Sequence, residues 1–245
     1  MSELAHDKVS SLDTLLRTTP SIWRGHERYA ASSGVATGYA ALDAALPARG
    51  WSVGGVTELL CDTHGIGELS LLLPALSEIT TAGRWAALVN PPYLPYAPAF
   101  ANAGVRLDRL LVVDSQHDKD ALWAGEQLLR ATHFDVVIIH VNRTTAQRQR
   151  RLQLAAEHSG SWSVVYRPAS ARDEHSPVAV RIALEMSEGR LALDILKARG
   201  GRISSLVIDP SAFDGPQGAE WPLKTARERC LEVAGLHSSI NLRVV

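Results

Sequence analysis

The residues best placed to do chemistry lie in one short stretch. Residues 56–69 read Val56, Thr57, Glu58, Leu59, Leu60, Cys61, Asp62, Thr63, His64, Gly65, Ile66, Gly67, Glu68, Leu69. An apolar run leads into a glycine-bearing loop, and a leucine-rich stretch follows. This is the layout of a phosphate-binding loop, G-x-x-x-x-G-K-[ST]. Its lysine meets the β- and γ-phosphates and its hydroxyl holds Mg²⁺. Here Asp62 stands at the first glycine, and Gly65 and Gly67 lie within the loop. Glu68 stands where the lysine belongs, and Leu69 where the hydroxyl belongs. Two carboxylates repel a triphosphate, and a leucine cannot hold a metal. The pattern predicts a loop that keeps its scaffold without its chemistry. Glu68 is expected to cap the N-terminus of the following helix, a role worth about 0.3–1 kcal/mol. Backbone amides at that terminus still favour an anion, which leaves binding without hydrolysis open.

A strand and a helix must hold such a loop, and the chain supplies several strand–helix units. Periodicity predicts strands at 56–60, 84–89, 110–113, 136–139 and 161–166. Helices are expected at 37–46, 68–81, 97–103, 118–130 and 144–158. The β-branched run Val136–Ile139 is what a strand buried on both faces requires. Alternating units imply an α/β fold, a mostly parallel sheet covered by helices on both faces. Residues 178–185 and 191–196 alternate across Ser187–Arg190 and predict an antiparallel hairpin at the sheet edge. Three regions result: an N-terminal segment, 1–35, with a short docking helix over 8–17; a core, 36–208; and a Pro/Gly-rich tail, 209–245, with a terminal helix over 223–236.

Composition narrows the class. The chain has 245 residues, 46% of them hydrophobic and 21% charged, with a net charge of −1. That charge argues against attraction of the whole molecule to nucleic acid or to an anionic membrane. Two cysteines, Cys61 and Cys230, make neither a metal spacing nor a disulfide framework, as expected in a reducing cytoplasm. No run is long and apolar enough to span a bilayer.

The core resembles a RecA-type ATPase. Thr37-Gly38, Leu42-Asp43 and Gly54–Glu58 are similar to the lead-in of such proteins into their nucleotide loop, and Leu110–Val113 through Val136–Ile139 to the strands that end in the second nucleotide motif. A narrower resemblance is carried by Trp23–Gly25, Gly65–Leu69, Leu72–Leu76, Pro91–Ala99, Ala121–Gln127, Arg151–Glu157 and Ile195–Gly201. Together these resemble the ImuA family and span about residues 20–208, most of a domain. The resemblance implies a RecA-like, SulA-related accessory protein of SOS-induced, error-prone translesion DNA synthesis. Its implied partners are an ImuB-type relative of Y-family polymerases, a DnaE-type error-prone polymerase, and RecA. The alternative is a SulA-like division inhibitor that binds FtsZ.

The same resemblance sharpens the reading of the loop. In RecA-like enzymes the Val136–Ile139 strand leads to a metal-holding aspartate, but here it reaches His140, and imidazole is a poor Mg²⁺ ligand. The second strand would end in a glutamate that orients water, but here it reaches Asn90-Pro91-Pro92. ATP hydrolysis, cofactor and metal are therefore not expected. His140 has no acid, cysteine or histidine at metal spacing and is read as a hydrogen-bonded residue at the loop mouth. Arg143, Arg148, Arg150 and Arg151 suit either phosphates of DNA or a solvated helix face, with Arg151 paired to Glu157 or another acid. Tyr93, Tyr96 and Trp123 suit either an exposed docking surface or packing of the second-strand loop against the core, the reading we favour.

Overall fold

The computed structural model describes residues 34–209 and, as backbone, residues 241–244. The docking helix expected over 8–17, the Trp23–Gly25 motif and the terminal helix expected over 223–236 lie outside the described residues.

Strand β1 (Gly55–Leu60) is buried along its whole length, and so is β5 (Trp162–Arg167) beside it. The other parallel strands are β2 (Trp85–Val89), β3 (Leu110–Asp114), β4 (Phe134–His140) and β6 (Val180–Ser187). An antiparallel hairpin joins β6 to β7 (Arg190–Ala198). Two short strands extend the sheet: β8 (Ser205–Ile208) outside the hairpin and β9 (Asn241–Val244) against β3, both antiparallel. The order is β8-β7-β6-β1-β5-β4-β2-β3-β9. The expected hairpin is present, but β8 rather than β7 forms that edge. At the other edge, four residues of the expected tail belong to the sheet.

Successive side chains of a strand point to opposite faces, so each strand serves two cores. Leu59, Leu88, Val112, Ile138 and Val164 face one core with α2 (Leu73–Thr81) and Phe100 of α3 (Ala97–Asn102). The short helix α1 (Ala40–Ala45) closes this side through Leu42 and Ala45. Val56, Val89, Val113, Ile139 and Val165 face the other core, under α4 (Asp118–Arg130) and α5 (Ala146–Ser159). Among the described residues no helix is long and apolar enough to cross a membrane.

The segment after the glycine loop departs from expectation. One helix was expected from Glu68, but a 3₁₀ turn at Ser70–Leu72 comes first and α2 begins at Leu73. Pro74 explains the boundary. Its missing N–H and fixed φ are tolerated in the first turn of an α-helix and disruptive further in.

Candidate functional site: a nucleotide-type loop closed by its own carboxylate

The loop between β1 and α2 lies at the C-terminal ends of the parallel strands, where open α/β sheets bind ligands. Gly65 and Gly67 have φ of 83° and 93°, the left-handed region that glycine enters without steric cost. The amides thus turned inward have a partner already. Glu68 is buried, and its carboxylate accepts from the Gly65 N–H (2.9 and 3.0 Å) and the Ile66 N–H (2.9 Å). This corrects the expected role of Glu68: it binds the amides of the loop rather than capping α2, which starts five residues later. The arrangement is chemically that of an anion held by a backbone nest, with the anion supplied by the chain.

Neighbouring strands lock the loop in place. Tyr166 on β5 donates its hydroxyl to the Glu68 carbonyl at 2.6 Å. Asp62 is exposed and accepts from the Ala169 N–H at 2.8 Å, tying the loop to the segment after β5. Leu69 packs against the core instead of facing a metal site. Burial first, then the charges of Glu68 and Asp62, pushes the Cys61 thiol up to about 12, so it stays protonated and unreactive. Burial also holds the Tyr166 phenol well above its usual value, reinforced by Cys61 and Glu68.

The other two altered positions converge on this loop. The His140 ring stacks on Tyr166, with centroids 4.6 Å apart and planes 8° from parallel, and meets the His64 ring edge-on at 6.2 Å. Burial, aided by the charge of His64, lowers His140 to about 3, so it is neutral near pH 7. Asn90, at φ 55°, donates Nδ2 to the His140 carbonyl at 3.1 Å and its N–H to the Val113 carbonyl at 2.7 Å. A polar clasp across β2, β3 and β4 thus occupies the mouth. Among the described residues no group of three or more His, Cys, Asp or Glu could hold a metal ion.

The chain after Asn90 supplies the apolar part of the site. Tyr93, Leu94 and Tyr96 are 71%, 74% and 70% exposed, on a loop stiffened by Pro91, Pro92 and Pro95. The favoured expectation of aromatics packed on the core is therefore overturned for Tyr93 and Tyr96, and Trp123 on α4 is itself 46% exposed. The prolines restrict the backbone here, and residues 91–96 form neither helix nor strand. Tyr93 leans edge-on toward His64 at 6.3 Å, which joins this knuckle to the loop.

The arginines lie elsewhere, on the α4–α5 face. Arg143, Arg148, Arg150 and Arg151 are all exposed. Arg151 pairs with Glu126 of α4 (2.9 Å) rather than with Glu157, which instead accepts from Gln153. Thr145 caps α5 through the Arg148 N–H, and Asp118 accepts from the Arg143 N–H.

Sequence reasoning missed a buried ionic network under the site. Glu58 of β1 is fully buried. Its carboxylate takes Gln149 of α5 (2.6 Å), Arg167 of β5 (3.0 Å) and Arg181 of β6. Arg167 continues to Glu174 (2.6 Å), and Arg181 donates to the carbonyls of Ala171, Arg172 and Glu174. Burial opposes the Arg167 charge, but the hydrogen bonds to Glu174 and Glu58 outweigh it and hold the guanidinium more firmly protonated than usual. Only part of the signal is in the sequence: Glu58 and Arg181 stand inside apolar strands and Arg167 ends one, but their pairing does not follow from it.

Comparison with known proteins fits this architecture. Residues 44–170 match the family described as MT3502 N-terminal domain. RecA of Chlorobaculum parvum is 34% identical over 106 residues, 43% of this chain and 30% of that protein. RecA of Bacteroides thetaiotaomicron is 29% identical over 105 residues, 43% of this chain and 32% of that protein. RecA of Listeria welshimeri is 31% identical over 108 residues, 44% of this chain and 30% of that protein. The match thus spans about a third of the length of these curated relatives. The solved structure of SulA from Pseudomonas aeruginosa is 23% identical over 46% of this chain and 97% of that one. Its TM-score is 0.40, too loose to add to the fold assignment. With the RecA similarity, the α/β sheet and its antiparallel hairpin are those of a RecA-like fold.

Proposed function

The chain belongs to the MT3502 N-terminal domain family, and from that premise we propose that it is a non-catalytic, RecA-like accessory protein of SOS-induced translesion DNA synthesis. In this reading it acts in the cytoplasm as the ImuA-type member of an assembly. The other members are an ImuB-type polymerase relative and a DnaE-type polymerase, with RecA as a further contact. The motif set from Gly65–Leu69 to Ile195–Gly201 supports the translesion role, and the RecA similarity supports the DNA-damage setting.

One observation carries the non-catalytic part. The loop amides that would cradle phosphate are occupied by Glu68. A nucleotide would have to displace a carboxylate that cannot leave, against its charge. No lysine, metal-binding hydroxyl or strand-end carboxylate stands at the expected places, since Glu68, Leu69, His140 and Asn90 hold them. What the mouth offers instead is the Tyr93–Tyr96 knuckle, a contact surface rather than a catalytic one.

Deleting the gene tests the role in cells. Damage-induced mutation falls, complementation restores it, and the purified chain co-purifies with the ImuB-type partner. Filamentous cells on overexpression, with FtsZ polymerisation blocked and mutation unchanged, replace this reading with the division-inhibitor one. Steady-state ATP turnover by the purified chain ends the non-catalytic reading.

A further inference from the structure

The cleft between α4 and α5 carries charge and apolar surface that the closed loop does not use. It has a volume of about 280 Å³. Its base is net positive: Glu126, buried on α4, takes both Arg130 from its own helix and Arg151 from α5. Beyond that base, Lys119 and Arg148 are exposed and have no acidic partner among the described residues. Against them the cleft holds one unpaired carboxylate, Asp120, on a chain whose net charge is −1. Half-exposed Trp123 lies in the cleft, and Leu154, 50% exposed, stands on α5 one turn beyond Arg151.

A second observation indicates what is missing. The first turn of α5 has no acidic residue, and Arg148 and Arg150 stand near it. The positive end of a helix dipole repels cations, so these arginines weaken the helix that bears them. An anion docked there relieves that repulsion.

We propose that this cleft binds an acidic peptide segment of a protein partner, anchored by one bulky apolar side chain. The apolar side chain packs on Trp123, and Arg148 and Lys119 take the flanking carboxylates. Arg148 is suited to the main contact, because a guanidinium grips a carboxylate through two parallel hydrogen bonds. Single-stranded nucleic acid fits less well. Its sites stack successive bases on several aromatics along a continuous basic track. Here Trp123 is the one aromatic lining the cleft, and the carboxylate of Asp120 interrupts the basic track.

The test uses the full chain and reads only this surface, so it succeeds or fails independently of the translesion role. Random peptides displayed on phage are selected on the protein, and the best is synthesised with a fluorescent label. The selected peptides carry Asp or Glu beside Leu, Phe or Trp. Their affinity by anisotropy falls roughly tenfold or more with Arg148→Glu and with Trp123→Ala. Arg148→Glu leaves the melting temperature unchanged or raised, which a structural role for Arg148 would not allow. The proposal is overturned if no peptide is selected, if the peptides lack acidic residues, or if binding ignores both substitutions. Tighter binding of a labelled oligothymidine strand, lost with the same substitutions, reassigns the cleft to nucleic acid.

Discussion

Two buried glutamates organise this molecule in opposite ways. Glu68 satisfies itself locally, on amides two and three residues away. Glu58 is bound by side chains 91, 109 and 123 residues away, on three different elements. Both hold negative charge out of water, but only Glu58 depends on the whole sheet being assembled. A carboxylate on exposed loop amides closes a site. A carboxylate between strands closes a fold.

The largest effect expected from this contrast is at Glu58. Glu58→Ala leaves Arg167 and Arg181 buried without their shared partner and lowers the unfolding free energy by about 3–5 kcal/mol in urea titrations. Glu68→Ala costs about 1 kcal/mol, because water can replace the carboxylate at the exposed Gly65 amide. Equal losses at the two positions would break the distinction between fold and site. Tyr166→Phe removes the bond to the Glu68 carbonyl and costs about 0.5–1.5 kcal/mol, read in the same titration.

The last test reads a pH dependence. The folded His140 titrates at about 3, well below its ordinary 6.5, so between those values the unfolded chain binds the extra proton. Its contribution is fully present above about pH 6.5 and is lost as pH falls toward 3. His140→Phe keeps an aromatic ring on Tyr166 and flattens that part of the stability–pH curve relative to the parent. Identical curves would mean that His140 is not held neutral by its surroundings.

How far the sequence foretold this depends on whether each fact is local. The bounds of α4 follow from its periodicity, while the strand read at 136–139 from its β-branched run extends to Phe134–His140. The three altered positions at the mouth could be read from one chain because each replaces a residue type that the chemistry requires. The Glu68 geometry was half legible: its charge implied a cap, but Pro74 moved the helix start and left the loop amides as the available donors. The partners of Glu58 were not legible, because they follow from β1 lying between β6 and β5. The same holds for Arg151, whose partner sits on the neighbouring helix rather than on its own. The four-residue strands β8 and β9 are too short for alternation to mark them.

The interior position of β1 also bears on how the chain is made. β1 is the first strand of the sheet to be synthesised, yet its two neighbours are the fifth and sixth. Glu58 leaves the ribosome 123 residues before Arg181. At ~5–20 residues per second, that is roughly 6–25 s before the second arginine of the network exists, and β5 with Arg167 comes only shortly before it. Completion of the sheet is therefore a late event in the life of the nascent chain. Until β5 is made, β1 lacks both of its neighbours, and slowing translation just before residue 162 lengthens that interval.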